Sequence, residues 1–199
     1  MKIALIGASS TGKSTLARLL ANELSLPLIR EQARVVLADI GKTLPEIRAV
    51  PEEILRFQYA VLQAQIDSEF ECFNSGFVSD RSIFDNLVLF LRHCEVPKEH
   101  VESYRQQVLK HYKANPYDIL IFLRPGEFPV EDDGVRTPDP LYQSQVDGMI
   151  LAILKLYTVD FKEVSGDPIA RVRGVKAHIE RLNPGWLSAR GISTDDFLI

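Results

Sequence analysis

Residues 7–15 read GASSTGKST, between the apolar run KIALI (2–6) and LARLLANEL (16–24). Gly7, four residues, then Gly12, Lys13 and Ser14 is the spacing G-x-x-x-x-G-K-[ST]. Glycine permits backbone angles closed to other residues, so the turn can aim successive N–H groups at phosphate oxygens. The helix that follows adds the positive end of its dipole. Ser9, Ser10 and Thr11 complete the turn, Lys13 places a point charge near the outer phosphates, and the Ser14 hydroxyl can join a magnesium shell. Thr15 falls in the first helical turn. A lone match can arise by chance, but here an apolar strand precedes it. An amphipathic helix with Leu16, Leu19, Leu20 and Leu24 on one stripe follows. The stretch predicts a bound nucleotide. It leaves open whether the terminal phosphate passes to water or to a second substrate.

Around this loop the pattern alternates. Short apolar strands are expected at 2–6, 27–29, 76–80, 118–123 and 160–164, the clearest being DILIFL (118–123). Helices are expected at 13–24, 31–40, 51–73, 82–93, 98–113, 141–157 and 168–182, with Gly41 as a stop and Pro51 in a first turn. Residues 42–50, with Pro45, read as a loop. Strands that are continuously apolar and alternate with helices predict an α/β fold, with a parallel sheet covered on both faces. One domain is expected over 1–182, with the tail 183–199 packed on it and Trp186 as an anchor. PGEFPVEDDGVRTPDP (125–140) reads as a lid-like excursion at the end of the fourth strand.

Composition bounds the function class. The 199 residues carry a net charge of −4, with 46% hydrophobic and 25% charged residues. No basic excess points to a nucleic-acid partner, and no apolar stretch approaches the roughly 20 residues of a membrane span. Cys72 and Cys94, and His93, His100, His111 and His178, form no metal or redox spacing. A cytoplasmic protein is expected. The Leu-rich stripe 87–91 is core or a dimer face, which leaves a homodimer open.

Ligands in such sheets bind beyond the carboxyl ends of the strands, where two acids fall. Asp80, in GFVSDRSIFDNL, can hold magnesium beside the phosphate loop or simply cap the next helix. Its neighbour Arg81 can contact phosphate or acceptor. Glu31, in PLIREQAR, is either a first-turn acid favoured by the helix dipole or a general base for an acceptor alcohol. Arg34, one turn later, can pair with it.

These residues resemble the P-loop small-molecule kinases. RFQYAVLQAQ followed by SDRSIFDN is similar to the deoxynucleoside kinases, where a Phe-Gln helix leads to a strand ending in Glu-Arg-Ser. That resemblance implies roles for Gln58 (hydrogen bond to a base), Asp80 (magnesium), Arg81 (reacting phosphate) and Glu31 (general base). Position 80 departs from the pattern by one methylene, Asp for Glu. The order G-x-S-S-x-G-K-S-T, E-x-x-R, a strand ending in Asp, D-x-x-I-x-L and D-G-x-R also resembles the nicotinamide riboside kinase domain of bacterial NAD-biosynthesis regulators and the ATPase domains related to it, over residues 1 to about 180. Both families imply a five-stranded parallel sheet in the order 2-3-1-4-5, ATP with Mg2+, and a small-molecule acceptor. Both also imply an arginine-bearing lid, here Arg124 and Arg136. Arg136 would stand over the transferring phosphoryl group or pair on the surface with Asp132 or Asp133. The turn VSGDPIAR is where such kinases pack adenine, which points to Gly166, Asp167 and Pro168. A regulatory ATPase without a small acceptor is the alternative reading.

Overall fold

The computed structural model describes residues 1–129 and 139–193. Five strands, β1 (Lys2–Ile6), β2 (Leu28–Ile29), β3 (Phe77–Asp80), β4 (Ile119–Phe122) and β5 (Lys162–Glu163), form one sheet in the order β2-β3-β1-β4-β5. Every pairing is parallel. The helices are α1 (Lys13–Leu24), α2 (Gln32–Ile40), α3 (Leu44–Arg48), α4 (Pro51–Glu71), α5 (Ile83–His93), α6 (Lys98–Ala114), α7 (Pro140–Leu156) and α8 (Pro168–Leu182).

Alternate residues of β1 build two separate cores, because successive side chains leave opposite faces of a strand. Ile3 and Leu5 pack with Leu16, Leu20 and Leu24 of α1 and with Val172, Val175 and Ile179 of α8. Ala4 and Ile6 face the larger cluster built from α4, α5, α6 and α7, including Phe57, Phe84, Phe90, Tyr104 and Ile150. A central strand buried on both sides is why KIALI reads as a continuous apolar run. Leu87, Val88 and Phe90 are interior, so most of the 87–91 stripe is core. Leu187 and half-buried Trp186 and Ile192 fold back onto the α1–α8 side.

Two local expectations differ from the structure. The segment read as a loop holds α3, which starts with a capping box: Thr43 takes the N-cap and Glu46 reaches back to the Thr43 N–H at 2.7 Å. Pro45, which suggested a loop, sits in the first turn of α3, where a missing N–H costs nothing, and Pro51 opens α4 as expected. Strand β5 is only two residues long, and both are exposed.

The order of the sheet reverses direction on either side of β1, which opens a crevice at its carboxyl end. The phosphate loop fills it. Leu123 N donates to Ile6 O at 2.9 Å, which draws the end of β4 against the loop. A Cβ at Gly7 would lie 2.5 Å from Leu123 O, so the first loop position admits only glycine. Because α1 carries the loop, its packing sets the loop's position. Leu20 is fully buried; Leu20→Ala is expected to lower the unfolding free energy by about 2–5 kcal/mol, read from the urea midpoint.

Candidate functional site

The loop ends at Gly12, whose φ of 84° is open to glycine and costly for other residues, and α1 begins without a side-chain cap. Gly12, having no side chain, leaves the first-turn N–H groups uncapped. Lys13 Nζ donates to Ala8 O and, at 3.2 Å, to Thr11 Oγ1. Burial, helped by the charge of Arg81, lowers the Lys13 ammonium to about 7, against the pull of Asp85, Asp80 and Glu31. Ser14 and Thr15 are exposed at the start of the helix.

Across from the loop, Arg81 is buried among acids. Its Nε donates to Glu31 Oε1 at 2.8 Å and its Nη1 to Asp85 Oδ1 at 3.0 Å. Nη1 also lies 3.5 Å from Gly7 O. Burial opposes its charge, but Glu31, Asp85 and Asp80 outweigh it and hold the guanidinium above its ordinary value. The second oxygen of Glu31 accepts from Arg34 Nε at 3.1 Å. Asp85 forms the capping box of α5 with Ser82 and accepts, at 3.4 Å, from Gly7 N. Burial, the largest influence, raises the Asp85 carboxyl above its ordinary value, while Arg81, Lys13 and the Ser82 bonds pull it down. Ser82, not Asp80, is therefore the N-cap of α5. Arg81 itself has a φ of 122°, a conformation that costs a non-glycine residue about 1–3 kcal/mol and persists only when the surroundings dictate it.

A second buried network stands behind this turn. Glu69 Oε1 accepts from Gln65 Nε2 (2.8 Å) and Tyr117 Oη (2.7 Å), and Glu69 Oε2 lies 2.7 Å from His111 Nε2. Gln65 also donates to Ser79 Oγ at 2.9 Å, and Ile83 N donates to Tyr117 Oη at 3.0 Å. Ser79 and Ile83 flank Asp80-Arg81-Ser82, so the turn is gripped on both sides.

A cavity of about 320 Å³ runs over the loop. Its walls include Ser9 to Leu16, Glu31, Arg34 and Arg81, with Phe128, Pro129, Pro168 and Arg171. Beside it lies an open groove of about 740 Å³, lined in part by Ser14, Arg18, Arg30, Glu31, Arg34 and Asp80. Asp80 is 7% exposed, and no hydrogen bond from the described residues reaches its carboxylate. A buried carboxylate and a serine hydroxyl in one groove fit a hard cation that takes the rest of its shell from phosphates and water. No group of three or more His, Cys, Asp or Glu among the described residues can hold a metal unaided. Gln58 is buried in a third, much smaller cavity of about 30 Å³, with Ser9, Arg48, Phe57, Arg81, His93 and Tyr142 on its walls.

The remaining expected residues divide. Pro168 lines the large cavity. Asp167 caps α8 by accepting from Ala170 N at 2.8 Å, and Gly166 N donates to Glu127 at 2.7 Å. Arg124 is spent on Asp147 (2.7 Å) and Glu163 (3.2 Å). Arg136 lies outside the described residues, as do Asp132 and Asp133. Sequence reading missed Asp85, Arg171, Phe128 and Gln143, whose Nε2 donates to Ser9 O at 2.7 Å. Each meets the loop across a large chain separation, and the local capping pattern that Asp85 carries does not point to it.

A sequence-family model described as an AAA domain matches residues 2–171. No functionally curated protein matches the sequence. Among solved structures, the NadR protein in complex with NR aligns at a TM-score of 0.72 with 15% identity, over 92% of this chain and 50% of that one. NadR in complex with NAD and AMP-PNP gives 0.70 and 14%, over 90% and 48%. This chain thus spans about half the length of the NadR chains. Deoxyadenosine kinase from M. mycoides, with dCMP and dCDP bound, gives 0.64 and 15%, over 92% of this chain and all of that one. Both kinds of kinase suggested by the motifs recur here as likenesses of fold. Among the described residues no helix is long and apolar enough to cross a membrane.

The depressed Lys13 has a consequence for stability. Its charged form is disfavoured in the folded chain, so the unfolded chain binds more protons between pH 7 and about 10. The cost of burying the charge is fully present below pH 7 and is relieved as pH rises toward the unfolded value. The nucleotide-free chain is therefore expected to gain unfolding free energy over this range relative to Lys13→Met, measured by urea titration at each pH.

Proposed function

The chain belongs to the AAA domain family, and from that premise we propose that it is an ATP-dependent kinase. It would transfer the γ-phosphoryl group to a hydroxyl of a nucleoside-like acceptor, nicotinamide riboside or a nucleoside. One observation carries this reading: Glu31 and Arg81 line the same cavity as Lys13 and Ser14. A switch or motor needs no group beside the loop to receive and orient an acceptor alcohol. Phosphoryl transfer to an alcohol does, since it is catalysed by positioning and by charge placed where charge develops.

In this reading the loop N–H groups and Lys13 bind the donor phosphates. Glu31, oriented by Arg81 and Arg34, takes the proton of the acceptor hydroxyl. The hydroxyl oxygen bonds to the γ-phosphorus as the bond to the bridging β–γ oxygen breaks, and ADP leaves with that electron pair. Arg81 offsets the developing negative charge. Mg2+ held by Ser14 Oγ, the Asp80 carboxylate and the nucleotide would supply charge neutralisation at the phosphates. Gln58 would read the acceptor.

A second reading, a regulatory ATPase without a small acceptor, draws support from the size of the Gln58 cavity. About 30 Å³ is room for one water and not for a nucleoside.

Labelled ATP offered with a panel of nucleosides that includes nicotinamide riboside separates the two. A labelled acceptor is expected; rapid hydrolysis with none would favour the ATPase. Glu31→Gln is expected to lower transfer by about 10²–10⁴-fold while ATP affinity is kept. Loss of ATP binding in that variant would assign Glu31 to the donor side. Lys13→Ala is expected to abolish turnover.

A further inference from the structure

One wall of the cavity over the loop has no part in the reaction above. Arg171, in the first turn of α8, is 1% exposed. Its Nη1 donates to Thr11 O at 2.5 Å and its Nη2 to Glu127 Oε2 at 2.8 Å. The same Glu127 oxygen accepts from Gly166 N, and the guanidinium lies 4.7 Å over the Phe128 ring. Arg171 Nε is buried and has no partner among the described residues.

A peptide unit is planar and trans, so its carbonyl and its N–H point in opposite directions. The Thr11 carbonyl is turned to Arg171. The N–H of the same unit, that of Gly12, is therefore turned away from it. Gly12 does not fix this plane by itself, because glycine accepts many backbone angles. Contact from outside does: a Cβ at Gly12 would lie 2.9 Å from Arg171 Nη1 and 3.2 Å from Phe128 Cε2.

We infer that Arg171 is a positioning residue of the phosphate cradle. It holds the Thr11 carbonyl outward so that the Gly12 N–H faces the donor phosphates, and it does not touch them. This rests on the donor-site reading above. It separates two jobs usually sought in one arginine: Arg81 acts on the reacting side, while Arg171 shapes the loop from behind.

The test is calorimetric titration with inorganic tripolyphosphate and with ATP, together with the Gly12 amide signal in ¹H–¹⁵N spectra of glycine-labelled chain. Arg171→Met is expected to weaken both ligands in parallel, by about tenfold, and to move the Gly12 signal. Arg171→Lys, which can satisfy one carbonyl but not the fork, is expected to fall between. It carries the test should Arg171→Met not fold. Glu127→Gln, which spares the Thr11 bond, is expected to leave both affinities within about threefold. Weakened binding with the Gly12 signal unmoved would overturn the inference in favour of direct phosphate contact. Loss of ATP but not tripolyphosphate affinity would also overturn it, by assigning Arg171 to the base. Unchanged binding of both ligands would do the same. An unaltered chain that binds neither would instead overturn the donor site and this role with it.

Discussion

The Arg81 guanidinium, out of water and held by Glu31 and Asp85, is the interaction on which the site depends. A buried cation without partners is untenable, and its removal leaves two buried acids exposed to each other. The three charges therefore come as a set. They also tie three separate elements together: Glu31 from the end of β2, Asp85 from the first turn of α5, and Gly7 from the loop through Asp85. The backbone strain at Arg81 is the cost of aiming the guanidinium inward rather than along the helix it precedes. The Glu69 network, gripping Ser79 and Ile83 on either side, is what allows that strain to persist.

Topology explains why this set lies where a phosphate would be. Chain order places β3 and β4 on opposite sides of β1, so the loops leaving the three strands splay around one crevice. The first loop fills it with N–H groups, the loop from β3 brings Asp80 and Arg81, and the segment leaving β4 brings Glu127 and Phe128. Amides converge from the first and a cation from the second, the third holds Arg171 of α8 in place through Glu127, and Asp80 and Glu31 stand on the groove side. Such a crevice suits an anion together with a hard metal. The likenesses to NadR and to deoxyadenosine kinase lie at this level, the arrangement of elements, and at about 15% identity they speak for the fold.

Much of this was legible in the sequence, for physical reasons. Strand β1 could be read because both its faces are buried. The loop could be read because its function rests on backbone geometry that only certain residues adopt. Glu31 and Arg34 could be paired because they stand one helical turn apart. What could not be read depends on partners far along the chain. Asp85 looks like an ordinary capping acid, and only the fold sets it against Gly7. Arg171 looks like a helix-surface arginine, and only α8 packing beside α1 buries it. Helix α3 was hidden by Pro45, which sits harmlessly in its first turn. The small cavity at Gln58 is set by side chains from α3, α4, α5 and α7 meeting, which no local pattern encodes.

The bond between Arg171 and Thr11 spans 160 residues. The phosphate loop therefore leaves a ribosome well before α8 does. Contacts so far apart form late, because the intervening chain must be ordered first. The loop can have its strand, its glycines and its helix well before it has its back wall. Competence to hold a triphosphate would then arrive in a single late step, when α8 docks, and a nascent chain would carry the motif through the synthesis of the 160 residues between the two with the cradle unfinished.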